Sequence, residues 1–101
     1  MTLTYDTDIA KKFGATAAIV YGYIGQRIRE VGVPLKGVSF ARITKRGCAE
    51  DLNMSVGTVV KALDLLMKEN GIKMLKLPHD SGFWYTTKVK ELEEGGMWNG
   101  D

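Results

Sequence analysis

The chain has 101 residues, of which 45% are hydrophobic and 26% are charged, and its formal net charge at pH 7 is +2. This length supports one domain and is too short for two. No apolar run approaches the ~20 residues that a transmembrane helix needs. One cysteine and one histidine exclude an internal disulfide bond and a Cys/His zinc site, and we expect no cofactor. Because Asp6 and Asp8 lie where a signal sequence needs basic and then apolar residues, we expect a cytoplasmic protein.

The charge is distributed unevenly along the chain. Residues 36–90 contain ten bases and five acids, a net charge of +5, whereas residues 91–101 contain four acids and no base. A basic segment of this kind favours an anionic partner. We therefore divide the chain into a domain over residues 1–90 and an acidic, glycine-containing tail over residues 91–101, which we expect to be flexible.

The N-terminal third is predicted to be helical. A short helix ends at Gly14, and a longer helix covers about Ala15–Val31, where apolar residues recur at the spacing of one helical face. Gly32 ends the longer helix. We expect a loop over Pro34–Gly37 and then a short strand over Val38–Ile43.

The longer predicted helix carries a second stripe of small residues, namely Ala18, Gly22 and Gly25. Each glycine inside a helix costs ~1 kcal/mol relative to alanine, so the stripe predicts close packing against this face. The partner is either another part of the chain or a second copy, and a homodimer would then form through the 15–31 helix or through the tail.

Two further helices are predicted close together in the middle of the chain. Thr44 caps a helix that ends at Leu52, and Asn53 forms a tight turn, because asparagine tolerates a positive φ. Ser55 caps the next helix, which stops at Gly71 acting as the C′ glycine.

A β-hairpin is predicted to follow these helices. Ile72–Leu77 and Phe83–Val89 are two strands, and the residues between them are typical of a turn. His79, Asp80 and Ser81 in that turn have the composition of a hydrolase triad. Three consecutive residues cannot form the relay geometry, so we predict that the protein is not an enzyme and has no catalytic residues.

The middle of the chain resembles a known family. The run AEDLNMSVGTVVKAL, residues 49–63, is similar to the helix-turn-helix core of bacterial and phage winged-helix DNA-binding proteins, and LMKENGI, residues 66–72, resembles the helix end and the start of the wing. Upstream, GATAAIVY, residues 14–21, is similar to the first long helix of phage and plasmid replication proteins. The resemblance covers about residues 8–89. It implies a single winged helix-turn-helix domain, mostly α with a small β wing, in the α+β class.

The resemblance also implies a DNA-binding surface. The helix that begins after Ser55 would be the recognition helix, whose N-terminal residues contact base edges in the major groove, and the hairpin would be the wing along the DNA backbone. Lys45 and Arg46 oppose the dipole of their own helix, which favours a phosphate contact there. The residues predicted to bind DNA are Thr44, Lys45, Arg46, Ser55, Val56, Gly57, Thr58, Lys61, Lys73, Lys76, His79, Ser81 and Lys88.

The recognition helix departs from the family at two positions. Relatives often have arginine after the capping serine and again four residues later, where this chain has Val56 and Val60. Thr58 and Lys61 remain as side chains for reading bases, and bidentate arginine contacts to guanine are absent from that face. The valines contact either thymine methyl groups or a protein.

We therefore predict a double-stranded DNA-binding protein that acts as a small transcriptional regulator or as a phage or plasmid replication accessory factor. It would work in the cytoplasm, at the nucleoid or, if phage-encoded, inside the host. The alternative is a winged-helix protein-interaction module, such as a viral or phage protein that binds and modulates a host protein. Val56, Val60 and the acidic tail favour this alternative. Cys48 is interpreted as a small core residue, with a redox switch as the second interpretation.

Overall fold

A computed structural model of the chain describes residues 7–35, 37–78 and 82–89. Over these residues the protein is a small α+β domain with four helices and a four-stranded antiparallel sheet. The predicted tail over residues 91–101, and the predicted DNA-binding residues His79 and Ser81, lie outside the described part of the chain. The elements in chain order are α1 (Thr7–Phe13), α2 (Ala15–Val31), β1 (Val33–Leu35), β2 (Val38–Arg42), α3 (Lys45–Leu52), α4 (Val56–Lys68), β3 (Lys73–Lys76) and β4 (Phe83–Thr86).

The sheet joins strands that are far apart in the sequence. Its order is β1-β2-β4-β3, and β3 and β4 form the predicted hairpin, with Lys76 opposite Phe83. β2 pairs with β4 so that Arg42 lies opposite Trp84. Because α3 begins three residues after β2 ends, this pairing places the start of α3 beside the hairpin.

The predicted loop over Pro34–Gly37 is wrong in its first half. Residues 33–35 form the edge strand β1, which pairs antiparallel with β2, and Gly37 makes the connecting turn with a φ of 87°. Proline is tolerated in a strand at the edge of a sheet, where one side of the backbone needs no partner strand. Pro34 therefore lies inside a strand and not, as the frequent occurrence of proline in loops predicted, at the start of a loop.

The end of α4 also differs from the prediction. The helix stops at Lys68, and Asn70, not Gly71, takes the left-handed conformation with a φ of 60°. Asparagine adopts this conformation more readily than other non-glycine residues. The N–H of Gly71 donates to the carbonyl of Leu66 at 2.7 Å, and a Cβ at Gly71 would lie 3.3 Å from a methyl carbon of Leu66. Gly71 therefore serves close packing, while Asn70 makes the turn.

The core lies between the helices and one face of the sheet. α2 packs against α4, β2 and β4. Its span, Ala15–Val31, is the predicted one. No helix in the described part of the chain combines the length and apolar character that crossing a membrane requires. The largest fully buried side chains are those of Tyr85, Phe40, Ile24, Leu63, Leu66, Ile72, Val20 and Val59.

The stripe of small residues on α2 is only partly covered. Ala18 is fully buried. At Gly25, by contrast, an added Cβ would meet no heavy atom of the described residues within 4 Å. Within the described residues, the prediction that Gly25 packs closely against another part of the chain is therefore wrong. Contact of this stripe with a second copy stays a prediction.

Candidate nucleic-acid interface

The α3–α4 pair is held by short-range hydrogen bonds. Thr44 caps α3, its Oγ1 accepting from the N–H of Gly47 at 2.9 Å. Asn53 ends α3 in the left-handed conformation, with φ 56° and ψ 48°, and the N–H of Met54 donates to the carbonyl of Ala49 at 2.9 Å. The predicted cap and the predicted turn residue are both confirmed. Two residues separate Asn53 from the start of α4, so the two helices are joined by a tight turn.

The first turn of α4 begins at Ser55. Its Oγ accepts from the N–H of Thr58 at 3.1 Å and lies 2.8 Å from the Thr58 hydroxyl. The buried face of the helix consists of Val59, Ala62, Leu63 and Leu66. At 100° per residue, the opposite face carries Gly57, Lys61, Asp64 and Lys68, all exposed. Burial of one face thus leaves Lys61 directed outward, as predicted.

A groove runs between α3 and the start of α4. Arg46 and Glu50 contribute to its α3 side and Val56 to its α4 side, and all three residues are exposed. Val56 retains 44% of its accessible surface, although it is a large apolar residue. The remaining lining residues are Ala49, Asn53, Met54 and Ser55.

Two lysines from distant parts of the chain meet at one aromatic ring. The Nζ atoms of Lys45 and Lys76 lie 5.8 and 5.7 Å from the centroid of the Phe83 ring. Lys76 is there because β3 pairs it with Phe83. Lys45 is there because the N–H of Ile43 donates to the carbonyl of Phe83 at 3.1 Å, which holds the start of α3 against β4. Within the described residues neither ammonium group has a carboxylate partner.

Arg42 extends this basic cluster towards the hairpin turn. A Cβ added at Gly82 would lie 2.8 Å from Cζ and 2.9 Å from Nη2 of Arg42, so the guanidinium group packs directly over the glycine. Arg42 and Phe83 are not among the residues predicted from the sequence to bind DNA. Their positions depend on the pairing of β2 with β4, for which no local sequence signal exists.

Lys73 and Lys88 are at the other end of the hairpin. Lys73 pairs with Thr86, at the opposite end of β3 from Lys76, and its Nζ donates to Oδ1 of Asn70 at 3.4 Å. The exposed Lys88 follows β4, and its N–H donates to Oγ1 of Thr86. The structure therefore brings Lys45 and Lys76 together and leaves Lys73 and Lys88 apart from them.

A second groove lies on the other side of α4 from Val56, and Thr58 is one of its lining residues. Its volume is about 260 Å³, and it lies between α4 and the junction of α1 with α2. Thr58 and Lys61 line its α4 side together with Leu65, and Phe13 lines the other. The half-buried Thr58 thus lies on the α2 side of α4, whereas Val56 lies on the α3 side. Thr16, Ala17 and Ala62 complete the lining.

Burial raises the pKa of the cysteine thiol beneath this surface. Burial, followed by the charge of Asp51, raises the pKa of the Cys48 thiol to about 12. The nucleophile and redox-active form of cysteine is the thiolate, so a fully buried thiol with this pKa is protonated and unreactive at neutral pH. The core interpretation of Cys48 is confirmed by its burial. Among the described residues no group of histidine, cysteine and carboxylate side chains could hold a metal ion.

Comparison with known proteins adds no relative, since no family model, curated protein or solved structure matches the chain.

Proposed function

We propose that this protein is a winged-helix protein that binds double-stranded DNA and acts as a small transcriptional regulator or a phage or plasmid replication accessory factor. Two helices joined by a tight turn at Asn53 are followed by a hairpin, and the second strand of that hairpin pairs with the strand before α3. This arrangement is compatible with a winged helix. In that interpretation α4 is the recognition helix, and β3 and β4 are the wing.

The observation that carries the proposal is the convergence of Lys45 and Lys76 on Phe83. One ammonium group comes from the start of the helix-turn-helix and the other from the wing, and both lie within 6 Å of one ring. Arg46 adds a third exposed cation in the adjacent α3–α4 groove. Cations that two elements bring to one place form a local positive cluster, which favours contacts with DNA phosphates beside the proposed recognition helix.

This arrangement supports a mechanism based on occlusion. The described residues form one small domain, and the proposed contacts occupy α3, α4 and the hairpin. A protein bound in this way alters which other proteins can occupy its site. One helix in one major groove contacts a short half-site, so we propose that a homodimer contacts two.

A salt titration of binding to mixed-sequence duplex DNA tests the proposal. Each phosphate contact contributes a slope of about −0.9 to the plot of log Kobs against log salt. We expect Lys45→Ala and Lys76→Ala each to make the slope shallower by about that amount. Lys12→Ala is the matched control, because Lys12 lies 5.2 Å from the Phe13 ring on α1 and has the same lysine–phenyl contact elsewhere. Absence of duplex binding at ~50 mM salt, where electrostatic binding is strong, contradicts the proposal.

A protein-interaction module is the second candidate, and the exposed apolar side chains of α4 favour it. Val56 retains 44% of its accessible surface in the α3–α4 groove, and the half-buried Val60 lies one turn along the same side of the helix. A contiguous exposed apolar patch is typical of protein-binding surfaces. This candidate predicts that duplex binding is absent at low salt and that Val56→Asp abolishes binding of the protein partner.

A further inference from the structure

We propose that the first turn of α4 selects DNA sites by contact with the C5-methyl groups of thymine, with Val56 as the contacting side chain. This inference rests on the proposed function and specifies the DNA that it recognises. Thymine is the base that presents a methyl group in the major groove, and apolar side chains contact that group directly.

Val56 has the position and the chemistry for this contact. It is the first residue of α4, and 44% of its surface is exposed at the α3–α4 groove. A valine side chain has no hydrogen-bonding group, so it discriminates between bases through apolar contact. Val60, one turn along the same side of the helix, is half-buried and extends the apolar surface from Val56 towards the core.

The polar side chains of the same turn are engaged with each other. The Ser55 hydroxyl accepts from the N–H of Thr58, and the two hydroxyl oxygens are 2.8 Å apart. Turning the Ser55 hydroxyl towards a base would break the hydrogen bond that caps α4, and the half-buried Thr58 lies on the α2 side of α4, away from Val56. Asparagine, glutamine and arginine, the usual bidentate partners of adenine and guanine, do not occur in α4. Val56 is therefore the exposed side chain of this turn that is available to contact a base.

Gly57 is a second, independent indication that a partner approaches this turn. Its backbone is not in the left-handed region, and an added Cβ would meet nothing within 4 Å in the described residues. Neither backbone conformation nor internal packing therefore requires glycine, which costs ~1 kcal/mol relative to alanine inside a helix. An uncovered glycine beside Val56 allows the bases to approach the helix backbone closely.

The charges around Val56 favour DNA over a protein as the occupant. Arg46 lines the same groove, and its neighbour in the chain, Lys45, belongs to the lysine pair at Phe83. Glu50 is the acid in that groove, and its carboxylate has the chemistry to accept a hydrogen bond from the amino group of cytosine. The major groove of B-DNA, about 12 Å wide, admits a helix.

The test begins with preferred sites selected from a random duplex library. Each thymidine of a selected site is then replaced by deoxyuridine, which pairs identically and lacks only the C5-methyl group. We expect the Kd to rise about fourfold for each contacted methyl group, the effect of one buried methyl. For the Val56→Ala variant, the Kd for the deoxyuridine site divided by the Kd for the thymidine site should fall towards one. Val33→Ala on β1 is the matched control, since Val33 is 40% exposed, and it should keep the wild-type ratio.

The outcomes separate this inference from the proposed function. Duplex binding with no thymidine–deoxyuridine difference in the wild type overturns the thymine contact and leaves the proposed function in place. An unchanged ratio in Val56→Ala shows that another side chain makes the contact and overturns the assignment to Val56. Failure to bind any duplex at low salt overturns both. A ratio that falls in Val56→Ala and persists in Val33→Ala supports the inference.

Discussion

The hydroxyl of Tyr23 donates a 2.7 Å hydrogen bond to Oδ2 of Asp51, and this bond connects α2 to α3 across 28 residues of sequence. Tyr23 is buried, whereas Asp51 lies on the exposed side of α3. The bond holds the first helix of the proposed helix-turn-helix against the long N-terminal helix. The orientation of α3, and with it the position of Lys45, therefore depends partly on this contact.

We expect Tyr23→Phe to lower the free energy of unfolding by about 1–2 kcal/mol at pH 7, because a hydrogen bond to a charged group contributes about that much or slightly more. Asp51→Asn keeps an oxygen acceptor and should cost less. Urea unfolding measured by circular dichroism gives both values. A loss below about 0.5 kcal/mol in Tyr23→Phe would show that the hydrogen bond contributes little.

Stability should fall at alkaline pH. Burial raises the pKa of Tyr23, with a further contribution from Asp51, and burial also raises the pKa of Tyr85. Burial raises the pKa of Cys48 from 9.0 to about 12. A raised pKa means that the folded state keeps a proton that the unfolded state releases. The stabilisation is complete below the unfolded pKa values, and it is lost as the pH rises through the folded ones.

This pH dependence is measured by urea unfolding between pH 7 and pH 11. We expect constant contributions from these groups up to about pH 8, one unit below the unfolded thiol pKa of 9.0, and a decline above it. The difference in stability between wild type and Tyr23→Phe should become smaller above pH 10, because phenylalanine has no proton to lose. A difference that stays constant to pH 11 would contradict the assigned pKa shift of Tyr23.

Gly57→Ala should change stability and DNA binding in opposite directions. The added methyl group meets open space, and alanine is about 1 kcal/mol more favourable than glycine inside a helix, with a smaller gain at its first turn. We therefore expect the free energy of unfolding to rise by about 0.5–1 kcal/mol and duplex affinity to fall. Gly25→Ala on α2 is the control, because its Cβ also meets open space. It should stabilise the fold and leave unchanged the affinity for a duplex that carries one half-site, to which contact with a second copy does not contribute.

Lys61→Ala and Lys76→Ala should separate base contacts from phosphate contacts. Lys61 is on the outward face of α4, so its removal should reduce the ratio of specific to non-specific affinity. Lys76 lies beside Phe83 on the hairpin, so its removal should weaken binding to all sequences alike and make the salt dependence shallower. Competition binding with a selected site and a scrambled duplex measures both effects. Equal loss of specificity in the two variants would place the recognition surface elsewhere.

The sequence by itself determined the features whose physical causes are local. The span of α2, the caps at Thr44 and Ser55 and the turn at Asn53 follow from contacts between residues three to five positions apart, and the structure has all of them. Three local predictions were wrong: β1, the end of α4, and the strand predicted over Phe83–Val89, which ends at Thr86. At the first two, Pro34 and Asn70 have more than one acceptable conformation. In both places the surrounding chain selects the conformation.

Only the tertiary structure determines which cations lie close together. Lys45 and Arg42 join Lys76 at Phe83 and Gly82 because β2 pairs with β4, more than 40 residues later in the chain. The register of β3 with β4 places Lys73 at the far end of the hairpin from Lys76. Strand pairing over this distance depends on the packing of the whole core and has no local signal. The net charge of +5 over residues 36–90 therefore indicated an anionic partner, and the fold determined where on the surface that partner is expected to bind.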